Sequence, residues 1–170
     1  MWRKNLLQVN VNVYRWVDGK VLSEVRDYQS FLSAYGHSVV SMLEHGRAGM
    51  LEQGFPVYGL VELLKRLHPI VEAGELVWFV GPTWISLVGQ CQDWHSPTKT
   101  LAEEVVGPRF NEMDLEDYVN AMASLATQIR ATDFQIGTLA NPRKQAMLRR
   151  LTSLGMTHTT SIVSRRVNNG

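Results

Sequence analysis

The sequence holds a single cysteine, Cys91, so no intramolecular disulfide can form. A reducing, cytoplasmic setting is the default for such a chain, and Cys91 is expected as a small buried apolar residue. Neither sign of charge dominates: 17 Lys and Arg face 16 Asp and Glu, a net +1. A field that draws DNA or RNA from a distance is therefore absent, and nucleic acid is not an expected partner. Long apolar runs are missing too. The longest, Leu76 to Val80, falls far below the roughly 20 residues of a membrane helix. Near the start, Leu6-Leu7 is cut short by Gln8 and Asn10, which excludes a secretory signal there. No repeat or low-complexity tract is present. His37, His45, His95 and His158 do not combine with Cys, Asp or Glu at metal-ligand spacing, so no metal site is expected. Gly-x-Ser-x-Gly and phosphate-loop motifs are also lacking.

What is present suits one globular domain. The 170 residues are 45% hydrophobic and 19% charged, enough apolar surface for a real core. Val9, Val11 and Val13 alternate with Gln8, Asn10 and Asn12, the period of a half-buried strand over 8–17. Asp18-Gly19 breaks it. Val21, Val25, Tyr28, Leu32 and Tyr35 fall near helical spacing and predict a helix to about His45. Three glycines between Gly46 and Gly54 predict an irregular stretch. Pro56 opens a helix over Val57 to Leu67, with Leu60, Val61, Leu64 and Leu67 as its stripe, and Pro69 stops it.

Leu76 to Val80 and Trp84 to Cys91 read as a hairpin around Gly81-Pro82-Thr83. Trp78, Phe79 and Trp84 cluster on it and read as core. Asp93 to Pro97 forms a loop. Lys99 to Val106 is a further strand, with Leu101 and Val105 facing away from Ala102 and Val106. Leu115 to Ala131 is the clearest helix, capped by Asp114, with Glu116 and Asp117 placed well against its dipole. Phe134 to Leu139 is a strand. Asn141-Pro142 begins a last helix, with Met147, Leu148, Leu151 and Leu154 as its apolar face and Gly155 at its end. Arg143, Lys144, Arg149 and Arg150 give that helix a basic, solvated side. Thr157 to Val167 reads as the last strand. The order β-α-α-β-β-β-α-β-α-β predicts an α/β (α+β) fold: a mixed, mostly antiparallel sheet flanked by helices.

That order, and the run from Phe134-Gln-Ile-Gly-Thr-Leu-Ala-Asn141 through Lys144 to Leu154-Gly155-Met156, resembles the acyl-CoA N-acyltransferase (GNAT-like) superfamily. The resemblance implies acetyl-CoA or another acyl-CoA as cosubstrate and an amine as acceptor. It places a general base on the strand holding Glu103 and Glu104, and CoA contacts at Val105, Val106, Gly107, Arg109 and Asn141. Backbone N–H groups at such a loop and at a helix N-terminus hold pyrophosphate, and strand N–H groups stabilise the oxyanion. A base working near neutral pH would need a raised pKa through burial.

Two positions depart from the family pattern. The loop Val106-Gly-Pro-Arg-Phe-Asn-Glu-Met-Asp114 has one glycine, loses a donor at Pro108 and carries Glu112 and Asp114. Leu151 stands where many members carry an acidic Tyr, so that role falls to Tyr118 or to water. The chain is also similar to degenerate GNAT-like proteins encoded by tailed phages, some of them virion-associated. That likeness implies a second reading, a catalytically inactive fold used for assembly. Its site would be the host cytoplasm or the virion, and it would bind a protein partner or a second copy through the C-terminal edge strand.

Overall fold

The structure, a computed structural model, describes residues 9–92, 94–108, 112–137 and 143–158. The described residues form a mixed α/β fold, with an open six-stranded sheet between two pairs of helices. β1 (Asn10–Val17) and β2 (Lys20–Asp27) form an antiparallel hairpin. Asp18 and Gly19 make its two-residue turn with φ of 51° and 72°. Two positive φ values give the turn whose twist matches the strands it joins. α1 (Tyr28–Glu52) and α2 (Leu60–Glu72) follow. They carry the chain back so that β3 (Leu76–Val80) lies parallel to β1, a connection that needs a long crossover. β4 (Ile85–Gln92) and β5 (Lys99–Gly107) extend the sheet in antiparallel fashion. α3 (Leu115–Gln128) crosses over to β6 (Asp133–Gln135), which lies parallel to β5, and α4 (Lys144–Ser153) comes last. The strand order is β2-β1-β3-β4-β5-β6.

α1 and α2 cover one face, around Val13, Phe31, Met42, Trp78 and Leu87. α3 and α4 cover the other, around Phe79, Trp84, Leu101, Tyr118 and Met122. Trp78, Phe79 and Trp84 are all core, as expected, but divided between the faces. Trp78 stacks on Phe31 at 5.2 Å, while Phe79 meets Trp84 edge-on at 4.9 Å.

Several expectations need correction. Residues 20–27 form a strand rather than a helix. Their apolar residues coincide with helical spacing because an edge strand, half exposed on both sides, has no clean alternation to show. The helix that follows runs straight through Gly46 and Gly49 to Glu52. A Cβ on Gly46 would meet Val105 Cγ2 at 3.0 Å, so close packing on β5 outweighs glycine's weak helix propensity. Pro69 lies inside α2 rather than ending it. It is exposed, so the carbonyl it strands can bond water, and buried Leu67 and Val71 hold the last turn to the sheet. Cys91 is exposed, at the solvent end of β4.

Other expectations hold. The Asp114 carboxylate accepts from the Asp117 N–H at 3.2 Å and caps α3. Gly155, at φ 87°, donates to Thr152 O while Met156 donates to Leu151 O, the paired bonds of a glycine helix stop. The predicted Asn141-Pro142 helix start, the end of the Phe134–Leu139 strand and nearly all of the Thr157–Val167 strand lie outside the described residues. With that strand lies the edge expected to recruit a partner.

Candidate functional site

The face of Glu103 is decided by a one-residue irregularity. Val88 pairs with Glu103 and Leu87 with Val105, which leaves Glu104 without an opposite number. Such a bulge resets the alternation of the strand. Leu101 and Val106 consequently face α3 while Val105 faces α1. This corrects the expectation that Leu101 and Val105 share a face, since unbroken alternation would hold only without the extra residue. The two candidate bases, adjacent in the strand, point apart. Glu103 turns inward and is half-buried, and Glu104 is exposed.

Glu103 meets Tyr118 there. α3 carries Tyr118 into the core with no exposure, and its hydroxyl donates to Glu103 Oε2 at 2.8 Å. Ser86, also fully buried, reaches the same hydroxyl from β4 at 2.9 Å and donates to the Val105 carbonyl at 3.2 Å. Among the described residues, β5 and β6 are paired from Thr100 to Ala102. Just past that ladder, the Gly137 N–H donates to the Glu103 carboxylate. Glu103 therefore sits next to the last described pair of the two parallel strands.

Burial raises the Glu103 pKa most, hydrogen bonds from Tyr118 and Gly137 pull it down, and the Glu104 charge pushes it up again. The outcome is a carboxyl raised from 4.5 to about 8. Although the residue keeps some exposure, its carboxyl lies among protein atoms, and dehydration of the charged form dominates. Tyr118 is held well above its ordinary value by burial and by the Glu103 charge. It is a hydrogen-bonding neighbour of the base and stays protonated.

A second polar group steadies the same helix end. The Asp117 carboxylate accepts the indole N–H of Trp16 at 2.7 Å and that of Trp84 at 3.4 Å. Trp84 also packs edge-on against the Tyr118 ring at 4.8 Å. The start of α3 is thereby tied to β1 and to the beginning of β4, which fixes where Tyr118 enters the core.

The predicted site residues divide. Glu103 and Tyr118 come together. Val105 and Gly107 lie on the α1 face, and Val106 is buried on the α3 face. Gly107 faces Met42, whose Cα would lie 2.8 Å from an added Cβ, so its missing side chain seats α1. Arg109 and Asn141 lie outside the described residues. Leu151 is packed in the core. Sequence reasoning missed Ser86 and the indole-binding role of Asp117. The available signal for Ser86 was a lone hydroxyl inside the apolar run Trp84-Ile-Ser-Leu-Val88, because a buried hydroxyl requires a partner.

Among the described residues no group of three His, Cys, Asp or Glu is placed to hold a metal ion, and no helix is long and apolar enough to cross a membrane. No protein-family model matches the chain, and neither a curated protein nor a solved structure matches it.

Proposed function

We propose that the protein transfers an acyl group from an acyl-CoA to an amine, with Glu103 as general base. The observation that carries this reading is the Glu103 carboxyl: hydrogen-bonded by Tyr118, next to the end of the β5–β6 ladder, with a pKa of about 8. A base is most effective when its pKa lies near the working pH. Acyl-CoA as donor rests on the likeness of the stretch from Phe134 to Met156 to the N-acyltransferase family. Glu103 takes a proton from the incoming ammonium, directly or through water. The neutral amine attacks the thioester carbonyl, a C–N bond forms, the C–S bond breaks, the attacking nitrogen gives its extra proton to solvent, and solvent protonates the leaving thiolate.

Calorimetric titration with acetyl-CoA tests the reading, and no heat of binding at millimolar ligand overturns it. With an active acceptor, kcat/KM should rise with pH and level off above about 8. Glu103→Gln should lower it by about a hundredfold or more.

A second reading, an assembly or interaction protein, is favoured by a separate observation. Trp94 is 95% exposed, and Leu22 and Val25 are 48% and 67% exposed on β2, which ends the described sheet. Exposed apolar groups on a sheet edge suit strand addition by a partner. A stable complex by size measurement, combined with no acyl-CoA binding, selects this reading.

A further inference from the structure

We propose that Ser86 is a positioning residue that governs the proton on Glu103 by acting through Tyr118. The inference deepens the acyl-transfer reading at the same site, but its readout needs no acyl donor, so the two can fail separately.

Three contacts run in series: Glu103 Oε2 to Tyr118 Oη at 2.8 Å, Tyr118 Oη to Ser86 Oγ at 2.9 Å, and Ser86 Oγ to the Val105 carbonyl at 3.2 Å. Each needs one hydrogen. With Glu103 ionised, only the two hydroxyl hydrogens are present. That of Tyr118 points at the carboxylate, and that of Ser86 must be shared between Tyr118 Oη and the Val105 carbonyl. With Glu103 neutral, a third hydrogen is present and every contact is filled in one direction. Glu103 then donates to Tyr118, Tyr118 to Ser86, and Ser86 to the carbonyl.

The carbonyl can only accept, which fixes that direction. Ser86 and Tyr118 are both fully buried, so their hydrogens are placed inside the protein. Passing between the two states breaks no bond in either side chain: a proton arrives on or leaves the carboxyl, and the two hydroxyls rotate.

The neighbours of Glu103 sort by the state they favour. From α3, the Tyr118 hydroxyl stabilises the ionised form, as does the Gly137 N–H from beyond β6. Glu104, next along β5, opposes ionisation by its charge. α4 brings Met147 and Leu151 to the same core, both without charge. Ser86, from β4, contacts the Tyr118 hydroxyl with either oxygen able to donate, and it favours the neutral form when it accepts the Tyr118 hydrogen.

The signs of two substitutions therefore differ. Ser86→Ala removes the Ser86 hydroxyl as an alternative acceptor for the Tyr118 hydrogen, and the Glu103 pKa should fall by about one unit, the worth of one hydrogen bond. Tyr118→Phe removes a donor to the charged form, where such bonds are roughly twice as strong as between neutral groups, and the pKa should rise.

The experiment is a carbon-13 NMR titration of the Glu103 carboxyl in the wild-type protein and both variants. A downward shift in Ser86→Ala with an upward shift in Tyr118→Phe supports the proposal. An unchanged or raised midpoint in Ser86→Ala overturns it. A second measurement needs no variant to fold. In the wild type, the Ser86 Cβ resonance should move with the same midpoint as Glu103, and a resonance that stays fixed through that titration overturns the proposal. Acetyl-CoA binding without these shifts removes the role of Ser86 and leaves the enzyme. The shifts without acetyl-CoA binding do the reverse.

Discussion

The two faces of the sheet are built from the same strands and treat polar groups in opposite ways. Under α1 and α2 the core is aliphatic and aromatic, and the indole nitrogen of Trp78 is buried there without a hydrogen-bond partner. Under α3 and α4 the indoles of Trp16 and Trp84 both reach Asp117, and Ser86, Tyr118 and Glu103 are joined in series. A buried orphan N–H is a plain cost, whereas a connected set of buried polar groups specifies one geometry and shifts the acidity of its members. One face thus holds the sheet together, and the other carries the group whose protonation matters.

Four substitutions can break or sharpen that contrast. The largest effect should come from the dry face. Phe31 is fully buried against Trp78, and Phe31→Ala should cost about 3–5 kcal/mol in chemical denaturation. It should leave the Glu103 midpoint where it is, and a shifted midpoint would mean the faces are coupled.

Next comes Glu103→Gln, read as stability against pH. A carboxyl raised from 4.5 to about 8 on folding binds more protons in the native than in the unfolded state across that interval. Native stability therefore falls as pH climbs through the interval and levels off above it. Glu103→Gln should flatten that decline and be the more stable protein at pH 9 by about 2–3 kcal/mol, less than full conversion of the shift because the residue keeps some contact with water. Parallel curves for the two proteins would contradict the dehydrated carboxyl.

Gly107→Ala tests the seat of α1. Its Cβ would fall 2.8 Å from Met42 Cα, a backbone-level clash worth about 1–3 kcal/mol, visible as a lowered melting temperature. Trp16→Phe should have the smallest effect, about 1 kcal/mol for the bond to Asp117, again measured by denaturation.

Legibility in the sequence follows the same division. The capped helix α3 could be read because its apolar spacing and its Asp114 cap agree, and β3 because it is a short apolar run bounded by polar and glycine residues. The β1–β2 hairpin was announced by Asp18-Gly19, the strongest short-range hairpin signal, yet the helical spacing of Val21, Val25 and Tyr28 competed with it. Glycines at 46 and 49 could not be read as helix interior, because their purpose lies in β5, far along the chain. Glu103 and Tyr118 could be named as candidates from the resemblance. Their meeting could not be foreseen, because it depends on a single unpaired residue, and Ser86 was masked by an apolar strand.

That unpaired residue, Glu104, works like a reading-frame shift within a strand. Upstream of it the inward positions answer to acid–base geometry, and downstream the same parity answers to the helix on the other side. Deleting Glu104 would remove the irregularity and leave Val105 toward α1, Val106 toward α3 and the notch at Gly107 toward Met42, the faces they now serve. One position in β5 can thus be lost without exchanging faces, the unpaired one, whereas a gain or loss of a paired position would turn every side chain beyond it to the other helix pair and should be tolerated far less than almost any change of side chain.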